Sequence, residues 1–255
     1  MRVTARASTR LPLFATIAAR HNQAYGAHSH LMTTQILFIR HGETDWNRIK
    51  RIQGHIDIPL ATTGLAQAQR LARRFADDAK QGVRLDAIYS SDLLRAQQTA
   101  QPIADVLGLS LQLRESLRER SYGAFQGHDS DEIALRFPDE YAHWQTRDPG
   151  FAPPDGESLR AFYHRVVHAI EPLVAAHPGG RIACVAHGGV LDCVRRFACK
   201  LPLDAPRDYA LLNTSVNVVD FENGHANIVS WADVAHLDTP SSDDGFKKQV
   251  PEPGR

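Results

Sequence analysis

Apolar and polar positions along the chain follow two alternating periodicities. Short unbroken apolar runs, "QILFIR" (35–40), "LDAIYSS" (85–91), "LSLQLR" (109–114) and "RIACVAHGG" (181–189), are bounded by polar residues, as strands buried on both faces are. Between them lie longer stretches with helical spacing. In 60–80, Leu65, Ala68, Ala72, Phe75, Ala76 and Ala79 share one stripe. In 157–178, Leu159, Phe162, Tyr163, Val166, Ile170, Leu173 and Val174 form the clearest amphipathic face of the chain. The stretch 92–108 reads as a third helix, which Pro102 is expected to kink or restart. A last pair of strands within 215–233 turns at Glu222-Asn223-Gly224, where Asn-Gly favours a tight hairpin.

Strands alternating with helices predict a three-layer α/β/α domain, with a mostly parallel central sheet and helices on both faces. In such sheets ligands bind just beyond the carboxyl ends of the strands. Two of the apolar runs break off there into the same kind of residue: "ILFI" is followed by Arg40, His41 and Gly42, and "IACVA" by His187 and Gly188. The sheet is therefore expected to deliver two histidines to one edge.

The rest of the chain narrows the reading by exclusion. Lysines and arginines number 29, as do aspartates and glutamates, so no global field recruits nucleic acid or an anionic membrane, and any basic site must be local. Three cysteines, Cys184, Cys193 and Cys199, are too few for a disulfide framework, which points to a reducing, cytoplasmic setting; Cys184 reads as a small core residue. The 13 histidines are scattered without metal-ligand spacing, so no metal is expected. Residues 1–31 carry four arginines and no acid. Their apolar patch is too short to span a bilayer. A transit peptide would fit that profile, but a dispensable, disordered extension before Met32 fits better. The tail 238–255 is polar and rich in Pro, Gly and Ser, and is also expected to be disordered. A single domain over 32–237 remains.

Arg40, His41, Arg95 and His187 suggest one kind of chemistry. Guanidinium forks match phosphoryl oxygens, and a neutral imidazole among them is a nucleophile for phosphorus, provided that cations neutralise the charge spreading over the equatorial oxygens. Neighbouring arginines disfavour imidazole protonation and so keep the ring nucleophilic. Either histidine alone could be a strand-end residue satisfied by hydrogen bonds; the four together argue for a site.

Five segments in order, "RHGETDWN" (40–47), "QGHIDIPLATTGLAQA" (53–68), "SSDLLRAQQTA" (90–100), "LRERSYGAFQG" (117–127) and "VAHGG" (185–189), resemble the histidine phosphatase superfamily, in the branch of the cofactor-dependent phosphoglycerate mutases and their broad-specificity phosphatase relatives. The resemblance runs from about Gln35 to Trp231. It implies a small helical lid inserted at about 120–157. It also implies that His41 becomes phosphohistidine, with Glu119 as general acid and then base. Arg40, Asn47, Arg95 and His187 would clamp the phosphoryl oxygens, with Gln53 and the Gly188 amide as further contacts. Each lesser candidate has a plainer reading. Glu119 sits in the charge run "RER" with Glu115 four residues away, and Asn47 could cap a turn.

Mutase and phosphatase share the phosphohistidine and differ in whether water reaches it. The segment between Glu119 and His187 resembles the compact "PPxGES" lid of phosphatase members, which favours a phosphatase of small phosphate monoesters. A phosphoglycerate mutase, primed by 2,3-bisphosphoglycerate, is the alternative. A phosphoprotein phosphatase would need a shallower mouth, and a non-catalytic phosphate-binding module would not need both histidines and both arginines. The partner is then a small phosphorylated metabolite, with no cofactor for the phosphatase. The edge of the final hairpin could support a homodimer, although nothing in the pattern requires one.

Overall fold

Strand β1, Thr34–Arg40, lies near the middle of a six-stranded sheet ordered β3-β2-β4-β1-β5-β6 in a computed structural model that describes residues 32–238. The expectations for residues 1–31 and for the tail beyond Asp238 lie outside the described residues. The other strands are β2 (Ala87–Ser90), β3 (Leu111–Leu113), β4 (Arg181–Ala186), β5 (Val216–Glu222) and β6 (His225–Asp233). The first four run parallel, and β5 pairs antiparallel with both β1 and β6. This is the mostly parallel sheet that the apolar runs predict. The hairpin turns at Asn223 and Gly224, both at positive φ (53° and 75°), as a tight primed turn requires.

Among the described residues, seven α-helices complete the fold: α1 (Asp45–Arg48), α2 (Thr62–Lys80), α3 (Leu94–Leu107), α4 (Ser130–Arg136), α5 (Pro138–Gln145), α6 (Leu159–Ala176) and α7 (Gly188–Cys199). Alternate strand residues feed two cores. Leu37, Ile39, Ile88, Ala183 and Val185 pack under α2 and α3, whereas Ile36, Phe38, Ile182, Cys184 and Ala186 pack under α6 and α7. Fully burying one such side chain stabilises the fold by roughly 1.5–3 kcal/mol. Cys184 lies in this core as expected, and all three cysteines are unpaired.

Helix α2 corrects the stripe assigned to it. Its buried positions are Gly64, Ala68, Leu71, Ala72 and Phe75, while Leu65 is exposed. The reason is a close approach: a Cβ on Gly64 would fall 2.1 Å from the Glu43 carbonyl oxygen, so the helix touches the β1 loop through its glycine. In α6 the buried set is Phe162, Val166, Val167, Ile170 and Leu173, with Leu159, Tyr163 and Val174 packed partly buried against the same core. Helix α3 runs through Pro102 as one assigned element rather than restarting there. Helix α7 was not anticipated in the sequence, because its apolar positions begin directly after the glycines of "VAHGG".

The chain after β1 leads to α2 on one face, and the chain after β4 leads directly to α7 on the other. A crevice opens where neighbouring parallel strands send their connections to opposite sides. It is covered by a small third cluster, in which Ile52, Phe125 and Ile133 are buried among Tyr122, Phe137, Tyr141, Trp144 and Phe151. Helices α4 and α5 belong to this cap, within the segment expected to form the lid.

Candidate active site

Strands β1 and β4 are paired in register, with Arg40 opposite Ala186. The ladder continues one step further, since the His41 N–H donates to the Ala186 carbonyl at 2.9 Å. His41 and His187 therefore emerge side by side. Their ring centroids are 5.2 Å apart, and the two residues are 3% and 0% exposed.

The loop after β1 is tied at every residue. Asn213 Nδ2 donates to the His41 carbonyl at 2.9 Å, and the Gly42 N–H donates to Thr99 Oγ1 at 2.9 Å. Thr44 caps α1, and Asn47 Oδ1 accepts from the Thr44 N–H at 3.0 Å in a reciprocal capping box. Asn47 thus does cap a turn, and it also lines the crevice. Its Oδ1 accepts in the cap, and Nδ2 is the donor of the side chain.

His41 Nδ1 lies 2.7 Å from the Gly42 carbonyl, which can only accept. The proton must therefore sit on Nδ1, leaving the lone pair on Nε2. Burial, together with the charges of Arg95 and Arg40, pushes the His41 pKa well below the ordinary imidazole value, against the Gly42 hydrogen bond. His187 is lowered well below that value by burial first and then by Arg95, His41 and Arg40. Neither of its ring nitrogens has a hydrogen-bond partner among the described residues. Leaving a buried donor unpaired costs about 1–3 kcal/mol, which an anion's oxygen accepting from the ring N–H would offset.

Arg40 is 4% exposed and donates through Nη1 to the Leu211 carbonyl. Arg95, on the first turn of α3 and 1% exposed, donates to the carbonyls of Gly54 (2.7 Å) and Ile56 (3.0 Å), so it also fastens the "QGHI" loop. Burial lowers its pKa to about 10, still leaving it a cation at neutral pH. Gln53 is buried on the same wall, with Oε1 unpartnered among the described residues.

Glu119 is half-buried and enters from the other side of the crevice. Its Oε1 accepts from the Arg120 N–H at 2.8 Å and its Oε2 from the Gly189 N–H at 3.0 Å. A Cβ at 189 would fall 2.2 Å from Glu119 Oε1 and 2.9 Å from the Phe162 ring, so any larger residue there must push Glu119 aside. Glu115, the competing carboxylate, lies against Arg118 instead, outside the crevice. Gly188 opens α7 beside Arg40: a Cβ on it would lie 3.5 Å from the Arg40 Nε atom. The positive end of the helix dipole is thus at the site.

His41, Arg40, Asn47, Gln53, Arg95, Glu119 and Gly188 line one cavity of about 1030 Å³, with His187 buried beside His41. Its outer part is walled by aromatic residues of the cap, among them Tyr122, Trp144 and Phe151, and by Asp192, Arg196 and Tyr209. Reading the sequence missed Gly189, Asn213 and the Leu211 carbonyl. Gly189 was within reach as the second glycine of a known motif, but the other two lie in a loop with no pattern of its own.

Comparisons with known proteins bear on the family and the fold. A family model described as "Histidine phosphatase superfamily (branch 1)" matches residues 36–234. The Arabidopsis thaliana "Phosphoglycerate mutase-like protein 4" is 39% identical over 207 residues, covering 80% of this chain and 87% of that protein. The Yersinia pestis "Probable phosphoglycerate mutase GpmB" is 34% identical over 219 residues, covering 82% and 98%. Among solved structures, the Entamoeba histolytica phosphoserine phosphatase in complex with 3-phosphoglyceric acid superposes with a TM-score of 0.70 at 29% identity, covering 80% of this chain and 99% of that one. With a model match across most of its length and two relatives above 30% identity, the chain belongs to the histidine phosphatase superfamily, branch 1.

Proposed function

We propose that the protein hydrolyses small phosphate monoesters through a phosphohistidine on His41. The observation that carries this reading is the His41 ring itself. Its Nδ1–H is fixed on the Gly42 carbonyl, its Nε2 bears the lone pair, and its charged form is disfavoured by burial and by two arginines. A nucleophile kept neutral beside fixed cations suits attack on an anionic ester.

In the first step the His41 Nε2 lone pair forms a bond to phosphorus while the bond from phosphorus to the ester oxygen breaks. Glu119, protonated, gives its proton to the departing oxygen. In the second step Glu119 takes a proton from water, the hydroxide attacks phosphorus, and the bond to Nε2 breaks, restoring neutral His41 and releasing inorganic phosphate. Arg40, Arg95, Asn47, His187 and the Gly188 amide bind the equatorial oxygens, with Gln53 at the rim. No metal is required, because the guanidiniums supply the positive charge. The unpaired cysteines suit a cytoplasmic, reducing setting.

Hydrolysis is favoured over retention of the phosphoryl group because the cavity is far larger than one phosphoryl group and its cap is made of only two short helices. The solved relative named for phosphoserine hydrolysis supports the same choice. The mutase names of the 39% and 34% identical relatives support a second reading, transfer between phosphoglycerate positions with a 2,3-bisphosphoglycerate primer. A panel of phosphate monoesters, read by free phosphate, separates the two when 3-phosphoglycerate is run with and without 2,3-bisphosphoglycerate. Phosphate release independent of the bisphosphate is the expected result. Primer-dependent isomerisation without phosphate release would overturn it.

A further inference from the structure

Glu119 lies in a stretch, 118–122, that belongs to neither helix nor strand, yet a proton donor must be held to within a fraction of an ångström of the leaving oxygen. The main chain around it is gripped by a single guanidinium. Arg165, in the middle of α6, donates to the carbonyls of Ser116, Arg118 and Glu119, each at 3.0 Å. His55 Nε2 donates to the same Glu119 carbonyl at 2.7 Å. Arg165 is oriented by a two-point ion pair with Glu157, 2.9 Å from Nε to Oε1 and 2.7 Å from Nη2 to Oε2. Glu157 closes the ring by accepting from the Ser121 N–H at 2.9 Å, and its own N–H donates to the Ser121 carbonyl at 2.8 Å.

This clasp is anchored in the rigid part of the molecule. The Arg165 guanidinium packs 5.0 Å from the centre of the buried Phe162 ring, one turn earlier in α6. Burial disfavours an ionised Glu157, but hydrogen bonds from Arg165 and Ser121 outweigh it and hold the carboxyl below its usual value. Neither residue reaches the reacting phosphoryl group. Both face a separate cavity of about 470 Å³ that shares no lining residue with the catalytic one.

We propose that Arg165 and Glu157 are positioning residues that set the aim of the Glu119 carboxyl by holding the main chain from Ser116 to Ser121. The proposal rests on Glu119 being the general acid. It predicts that loosening the clasp selectively harms esters whose leaving group needs a proton.

The experiment measures kcat/KM of the full chain for an alkyl ester, phosphoserine, and for p-nitrophenyl phosphate, which leaves with little proton assistance. Arg165→Ala should lower the alkyl-to-aryl ratio by roughly 10- to 100-fold, the scale of a misplaced catalytic group. Arg165→Lys should recover part of that ratio, and Glu157→Gln, which keeps an acceptor for Ser121, should give a smaller drop in the same direction. In a Glu119→Ala background, Arg165→Ala should lower the ratio no further, because residues acting through one group are not additive. Equal losses on both esters, an unchanged ratio, or a further fall in that background would each overturn the proposal. Should Arg165→Ala not fold, Arg165→Lys and Glu157→Gln decide by the same ratio. A Glu119→Ala protein with an unchanged ratio removes the general acid itself, an outcome separate from failure of the clasp.

Discussion

The two ends of the cavity are built on different principles. At the proposed phosphoryl end, Arg40, His41, Arg95 and His187 end or follow a strand or open a helix and are nearly fully buried, and two of them are tied to other elements: His41 to the Ala186 carbonyl and the Asn213 side chain, Arg95 to the carbonyls of Gly54 and Ile56. At the proposed leaving-group end, much of the wall is aromatic side chains of the cap, held by one another through ring contacts such as the edge contact Tyr122–Trp144 at 6.4 Å and the tilted pair Phe125–Trp144 at 5.5 Å. Backbone ladders fix positions that a reaction depends on, whereas a small aromatic cluster fixes a shape that can be altered one side chain at a time. In the proposed reaction the first end would constrain the chemistry and the second the choice of alcohol.

That contrast exposes each end to a different kind of damage. His41→Ala should lower turnover by roughly 10⁴-fold or more and abolish acid-labile labelling of the protein by 32P-substrate. Labelling that persists would move the nucleophile elsewhere. Gly189→Ala, which strikes the joint between the two ends, should displace Glu119 and slow phosphoserine on the order of 10- to 100-fold, with a smaller loss on p-nitrophenyl phosphate. Phe125→Ala removes a fully buried ring of the cap, at a cost of about 3–5 kcal/mol. Hydrogen exchange should then quicken across 123–145 while the strands stay protected; joint exposure of the sheet would mean that the cap is not a separate unit.

The smallest effect is on stability with pH. His41 and His187 bind protons less readily folded than unfolded, so the unfolded chain takes up more protons as pH drops below about 6.5, and stability must fall with it. Each such histidine contributes at most about 1.4 kcal/mol per pH unit over that window. Thermal melts between pH 7.5 and 5.5 in phosphate-free buffer should show the decline, with a shallower slope for His187→Ala. An equal slope in that variant would mean that His187 is charged in the folded protein.

How legible these features were in the sequence follows the same division. The strands with unbroken apolar runs and the Asn-Gly hairpin were readable, because burial on both faces and a positive-φ turn leave few alternatives. The stripe of α2 was misjudged at Leu65, since an approach through Gly64 depends on a tertiary contact that no periodicity encodes. Helix α7 escaped because its apolar positions begin directly after the glycines of "VAHGG". Arg40, His41, Arg95 and His187 were found from their residue types at strand and helix ends, but the carbonyl of Leu211 and the Asn213 side chain come from a loop, where only the folded chain brings them to β1.

The pairing of Arg40 with Ala186 has one more consequence. A single residue inserted into or deleted from either strand would turn one histidine toward the opposite layer of helices and leave the other facing an empty place. Tolerance to changes in length must therefore differ along the chain, generous in the outer loops and absent between Thr34 and His41 or between Arg181 and His187.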